Sequence, residues 1–226
     1  MIKAAIFDMF ETLVTLFVGK TYFSENIAED VGVPLVEFRK AWHSNEHDRT
    51  VGKLTMKEGI ARTLELMNCN DEAMVEKIAQ KRLDALGDTF RNIPEETLQL
   101  VKDLKARGIK IGLISNCFSD EYELIKNSPF YPLFDAPMLS YEQGLAKPDP
   151  EIFQRILKKL DVTPEECLYI GDGGSKELYA AREAGMKPLQ ALYFHHLAFE
   201  PHVPCDILPE FDPIYKPSEV LQYCKN

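Results

Sequence analysis

Four short stretches of this chain set charged, amide or hydroxyl side chains at or just beyond the ends of apolar runs. In "IFDMFETLV" the run stops at Asp8, in "IGLISNCFSD" at Ser115 and Asn116, and in "YIGDGGSKELYAAREAGM" at Asp172. In "GLAKPDPEIF" Lys147 sits in the loop after a further run, residues 136–139. A carboxylate at the end of a buried strand is costly to desolvate unless something pairs with it. A helix end, a lysine or a metal ion would serve for Asp8. Singly, each residue has a structural reading: Asp8 as a helix N-cap, Asp172 as a turn residue, Ser115 and Asn116 as caps of the helix that begins near Ser119, and Lys147 as a solvated loop lysine. Four such coincidences at four strand ends are hard to obtain by packing alone, and parallel α/β sheets bind ligands outside the carboxyl ends of their strands.

The elements that must position them alternate. Strand-like runs fall at residues 3–7, 110–114, 136–139, 167–170 and 188–193. Helical stretches separate the later ones. Residues 95–107 follow Pro94, carry Leu98, Val101 and Leu104 on one face and stop at Gly108. Residues 149–160 bury Ile152, Phe153, Ile156, Leu157 and Leu160, and residues 177–184 end at Gly185. Strands alternating with helices predict an α/β fold, a parallel Rossmann-like sheet with helices on both faces. Residues 15–92 break the rhythm with helical segments at about 21–31, 34–48, 56–67 and 71–86 and no convincing strand. The expected organisation is therefore a core of residues 1–14 and 93–226 with an inserted α-helical domain at 15–92.

Composition narrows the function. Hydrophobic residues make up 45% and charged ones 27% of the 226 residues, an ordinary globular balance. A net charge of −10 argues against a nucleic-acid partner. No apolar run approaches bilayer length, and Asp8 and Glu11 interrupt the only apolar N-terminus, so neither a membrane span nor a signal peptide is expected. The five cysteines (Cys69, Cys117, Cys167, Cys205, Cys224) are odd in number and form no C-x-x-C, which fits free thiols in the cytoplasm.

The four quoted stretches, taken in their order along the chain and spread through the whole core, resemble the haloacid dehalogenase superfamily. The helical insertion matches that family's cap domain, so the resemblance covers nearly the entire chain. It implies a hydrolase in which Asp8 is the nucleophile and forms a covalent intermediate. It implies that Lys147 and Mg²⁺ offset the charge of a phosphoryl group, with Asp8, the backbone carbonyl of Phe10 and Asp172 as the protein oxygens on the metal. Ser115 would donate to a phosphoryl oxygen where charge develops, and Asn116 would contact the substrate. The implied substrate is a small phosphorylated metabolite.

The departures matter as much. The family's phosphatases carry a second aspartate two residues after the nucleophile, which protonates the leaving oxygen and later activates water. Here that place holds Phe10. Glu11 is the only nearby acid, and it replaces a usual glycine. The family's 2-haloacid dehalogenases have a tyrosine at this place and attack carbon without metal, so Phe10 leans toward them, as does the Ser115–Asn116 pair. They lack an aspartate like Asp172, however, and Glu177 stands five residues on, where many relatives keep a second metal-supporting acid. The expected chemistry is a Mg²⁺-dependent phosphatase. The alternatives are a metal-independent dehalogenase using the same Asp8 and a catalytically impaired phospho-ligand binder.

Three other patterns are weighed down. "HSNEH" matches H-x-x-E-H but offers no third ligand, and it reads as a polar helix face. "GDGGS" fails the G-x-G-x-x-G spacing at Lys176. His195, His196 and His202 read as loop residues. The link "DRTVGKLT" places Arg49 and Lys53 about Gly52; they read equally as solvent-facing charges on a turn and as a loop from which a basic residue, Arg49 first, drops onto a substrate anion.

Overall fold

The computed structural model describes residues 1–69 and 71–224. Its centre is a parallel sheet: β1 (Ala4–Phe7), β2 (Lys110–Ser115), β3 (Ala136–Leu139), β4 (Cys167–Gly171), β5 (Lys187–Ala191) and β6 (Asp212–Ile214), in the spatial order β3-β2-β1-β4-β5-β6. β1 is central and pairs with β2 on one side and β4 on the other. All four of its residues are buried, because successive side chains enter different cores. Ala5 and Phe7 join Leu113, Leu168 and Ile170 on one face, where α6 (Glu95–Ala106) supplies Leu100, Val101 and Leu104 and α7 (Ser119–Lys126) supplies Ile125. Ala4 and Ile6 join Tyr169 and Ile114 on the other, under Ile152, Phe153 and Ile156 of α9 (Pro150–Leu160) and Leu178 of α10 (Glu177–Glu183). Two covered faces are why the strands read as continuous apolar runs rather than as alternating ones. A short helix, α8 (Ser140–Gln143), follows β3.

Between β1 and α6 lies a helical group with its own apolar cluster. It consists of α1 (Ser24–Val31), α2 (Leu35–Ser44), α3 (Glu46–Thr50), α4 (Met56–Leu66) and α5 (Glu72–Arg91). Ile27, Phe38, Trp42, Ile60, Leu64 and Ile78 fill its centre. Thr55 and Glu58 form the reciprocal box that starts α4: the Thr55 amide donates to Glu58 Oε2 at 2.7 Å and the Glu58 amide to Thr55 Oγ1 at 3.2 Å.

Three elements differ from expectation. The helix expected over 34–48 breaks at Asn45, whose buried side chain donates to the Gly59 carbonyl at 3.3 Å and to Thr63 Oγ1 at 2.9 Å. Those bonds hold Asn45 outside helical geometry, at φ −115° and ψ 12°. The helix expected over 71–86 runs on through Gly87 to Arg91. A glycine inside a helix costs only about 1 kcal/mol, and burial of Leu86 and Thr89 offsets it. β6 is an unforeseen edge strand of three residues with a proline at its centre, too short to carry a period.

Candidate active site

The loops after β1, β2 and β4 and the segment after β3 meet at one end of the sheet. The Asp8 amide donates to the Ile170 carbonyl at 2.9 Å, so the β1–β4 ladder extends one residue and fixes Asp8 at the mouth. Its carboxylate is almost wholly buried. Lys147 Nζ lies 2.5 Å from Asp8 Oδ1 and also donates to Glu177 Oε2. Glu177, at the start of α10, further accepts the Tyr169 hydroxyl at 2.8 Å and the Gly173 amide at 3.3 Å. A Cβ at residue 171 would collide with Glu177 Oε1, so the glycine of "GD" makes room for this carboxylate. Asp172 Oδ1 accepts the Gly174 amide at 2.9 Å, and Oδ2 accepts the Cys205 thiol at 3.1 Å.

Asn116 is engaged differently from the expectation that it meets a substrate. The Lys147 amide donates to Asn116 Oδ1 at 2.8 Å and Asn116 Nδ2 donates to the Lys147 carbonyl at 3.0 Å, a two-point clasp on the lysine's backbone. Ser115, buried at the end of β2, makes one side-chain contact, 3.5 Å to the Asn116 carbonyl, at the outer limit for a hydrogen bond. Its hydroxyl is the weakly engaged donor of the group.

Asp8, Asp172 and Glu177 each offer an oxygen, and these lie within 4.8 Å of one another. One ammonium faces three carboxylates in a place poor in water. Burial pushes Asp8 up, Lys147 opposes it, and Asp172 pushes it further. Burial also raises Glu177 to about 8. For Lys147, burial favours the neutral amine, but Asp8 and Glu177 outweigh it and its pKa rises. Surplus negative charge on hard oxygen donors suits a divalent cation such as Mg²⁺.

Phe10 is half-buried against the sheet's core and the end of α5. Glu11 stands at φ 55°, the left-handed region that explains why a glycine is usual there. Its carboxylate accepts the Thr15 hydroxyl and the Leu16 amide, each at 2.8 Å, and burial raises it to about 7.

Arg49 does not stand on a solvent-facing loop. It lies in α3, fully buried, its guanidinium stacked 3.7 Å from the centre of the Trp42 ring and 4.7 Å from that of Phe118, and it donates to the Trp42 carbonyl at 2.9 Å. Gly59 leaves the slot for it, since a Cβ there would run into Arg49 Cδ. Lys53 is exposed and faces Asp48 at 3.5 Å. Of "HSNEH", His43, Ser44, Glu46 and His47 are exposed, with His43 paired to Glu46 at 2.7 Å, whereas Asn45 is buried at the break between α2 and α3.

Sequence reasoning passed over Arg82. From α5 it reaches Asp120 Oδ2 at 3.1 Å and Glu121 Oε1 at 3.5 Å, joining the helical group to α7. Arg82 and Glu121 line a pocket of about 180 Å³, walled also by Leu16, Tyr22, Leu86 and Phe118. An arginine among the alternating charges of "KRLDALGD" carried no signal of burial.

A family model described as haloacid dehalogenase-like hydrolase matches residues 2–185, and the chain belongs to that family. It is 40% identical over 90 residues to the rhythmically expressed gene 2 protein of Drosophila melanogaster, covering 38% of this chain and 35% of that one. It is 34% identical over 97 residues to the glyceraldehyde 3-phosphate phosphatase of Methanocaldococcus jannaschii, covering 42% of each. These matches thus span under half the length of either relative. Among solved structures, a 2-haloacid dehalogenase from Pseudomonas syringae superposes with a TM-score of 0.68 at 21% identity, over 99% of this chain and 98% of that one. A HAD family enzyme from Bacteroides thetaiotaomicron, in complex with magnesium and inorganic phosphate, gives 0.60 at 20% identity, over 84% and 94%. At such identities the likeness is one of fold. No helix among the described residues is long and apolar enough to cross a membrane.

Proposed function

We propose that this hydrolase is a Mg²⁺-dependent phosphatase acting on a small phosphorylated metabolite through an aspartyl-phosphate on Asp8. The observation that carries the reading is the set of three converging carboxylates against one lysine. A metal-free attack on carbon has no use for the Asp172 carboxylate. The relative from M. jannaschii, named a glyceraldehyde 3-phosphate phosphatase, supports the same class. Asp8, Asp172 and the Phe10 carbonyl are the oxygens assigned to the metal, with Glu177 behind them holding Lys147. Bound there, Mg²⁺ would neutralise phosphoryl charge and orient the group.

The chain's own residues do the rest. An Asp8 carboxylate oxygen attacks phosphorus, the bond to the leaving oxygen breaks, and water then cleaves the acyl phosphate. Lys147 balances charge on the phosphoryl oxygens and Ser115 donates to one of them. Asn116 fixes the lysine's backbone through its clasp. Residues 15–92 act as the cap over a core of 1–14 and 93–226, in the cytoplasm.

One observation favours a second reading, a 2-haloacid dehalogenase: the aromatic Phe10 where an acid would serve a phosphatase. Hydrolysis of 4-nitrophenyl phosphate, with Mg²⁺ and with excess chelator, is to be set against chloride release from 2-chloropropionate. Phosphate release that requires Mg²⁺ supports the first reading. Chloride release in chelator, without phosphatase activity, replaces it with the second.

A further inference from the structure

The segment between β5 and β6 passes over Asp172 and onto the helical group. Gln190, in β5 and fully buried, anchors it. Both hydrogens of its amide are used: Nε2 donates to the Asp172 carbonyl at 2.9 Å and to the Asp206 carbonyl at 2.8 Å. Its Oε1 accepts the Leu208 amide at 2.9 Å. One side chain therefore ties the loop that bears Asp172 to the segment that bears Cys205. A thiol has a single hydrogen and a carboxylate only lone pairs, so the 3.1 Å contact between Cys205 Sγ and Asp172 Oδ2 has one direction. With the Gly174 amide on Oδ1, the carboxylate is gripped at both oxygens, which leaves its plane little freedom. Further along, His202 pairs with Glu25 of α1 at 2.5 Å and lies 4.1 Å from the Phe23 ring, while Phe199 packs edge-on to Phe17 at 5.7 Å. The segment is thus fastened at three points: to β5, to Asp172 and to the helical group.

We propose that Cys205 is a positioning residue for the metal site: its thiol orients Asp172 toward a divalent cation, and Gln190 holds the thiol in place. The proposal rests on the reading that Asp172 binds such a cation. Groups that hydrogen-bond a metal ligand tune its affinity, and their loss costs roughly 10–100-fold. A thiol is a weak donor, so the lower end applies.

The test is Mn²⁺ binding to the whole metal-free protein, read by the paramagnetic resonance of free Mn²⁺, which needs no turnover. Wild type binds one ion, and Asp172→Ala loses it. Cys205→Ala weakens binding about tenfold, while Cys205→Ser, which keeps a donor, stays within about threefold. In kinetics with 4-nitrophenyl phosphate, the Mg²⁺ concentration for half-maximal rate rises in Cys205→Ala more than the maximal rate falls. Gln190→Met, if it folds, moves the same way; if it does not, the two Cys205 variants decide. Equal Mn²⁺ affinity in wild type and Cys205→Ala overturns the proposal and leaves the metal site standing. Equal loss in the Ala and Ser variants also overturns it, by excluding the hydrogen bond. A wild-type protein that binds no Mn²⁺ removes the metal reading itself.

Discussion

Phe10 stands edge-on to Phe90, ring centroids 6.3 Å apart and planes at 86°. The first lies two residues beyond Asp8, the proposed nucleophile, and the second near the end of α5, so an aromatic contact occupies the place where the family's phosphatases carry an acid. Its consequence is chemical: the leaving group must depart without a proton from this position.

Rates should therefore follow leaving-group pKa steeply, with acetyl phosphate and nitrophenyl phosphates far ahead of sugar phosphates. Phe10→Asp should recover part of the roughly 10²–10⁴-fold that general-acid help supplies, most of it on alkyl esters. It should also lower stability by about 1 kcal/mol or more, since the aromatic pair is lost. Rates for a series of esters in both proteins, with a thermal melt, check both halves. A flat dependence in wild type would mean another proton donor, and Glu11→Gln is the variant to make next.

Asp8→Asn keeps the shape and removes the nucleophilic charge. Turnover should fall to background for every substrate. The melting temperature should stay within a few degrees of wild type, because the amide relieves a crowded set of carboxylates. Near-normal turnover in this variant would exclude the covalent mechanism.

Chelation should abolish phosphate release and lower the melting temperature, because the cation binds only the native state. At a hundredfold excess over its dissociation constant the ion contributes about 2.7 kcal/mol. Scans with and without Mg²⁺, repeated on Asp172→Ala, check this; the variant should show no shift.

Arg82 is buried against Asp120 and Glu121, and removing one partner of such a set costs about 3–5 kcal/mol. Arg82→Met should be destabilised by that order. Burial, then Asp120, raises Glu121 to about 7 against the pull of Arg82. A carboxyl raised in the fold favours the folded state most below its unfolded pKa, near 4.5, and loses that contribution as pH rises through about 7. Glu121→Gln should remove this component, so its stability relative to wild type should increase between pH 4.5 and 7. Denaturant midpoints across that range give the sign.

Cys117 and Cys167 are buried thiols, each pushed up to about 12, mainly by desolvation. Alkylation at pH 8 should be slow at both in the native protein and fast in denaturant. Mass mapping of modified cysteines reads the contrast.

The parallel sheet was legible because two-sided burial leaves unbroken apolar runs, and the polar residues that end them were legible for the same reason. Asp8, Lys147 and Asp172 could be named from that pattern, and the structure brings them together. Arg49 was misplaced because a guanidinium stacked between two aromatic rings reads in sequence as any charge on a turn; the missing Cβ of Gly59, ten residues on, was a faint hint. The clasp of Asn116 on the backbone of Lys147 was not legible, because its partner lies far along the chain. Arg82, Gln190 and Cys205 act through contacts between distant segments, and no local spacing encodes those.

The central position of β1 has an outcome for synthesis. The strand that leads to Asp8 is made before the other five, yet its hydrogen-bonding neighbours begin at residues 110 and 167. Until β2 is made neither edge has its native partner, while the helices made in between can fold on short-range contacts. The site assembles late: Asp172 and Glu177 must emerge before the three carboxylates can meet. A truncated product that stops short of them would fold its helices and still lack a working centre. Such fragments should be sought as inactive, helix-rich species that depend on chaperones to hide an unpaired strand.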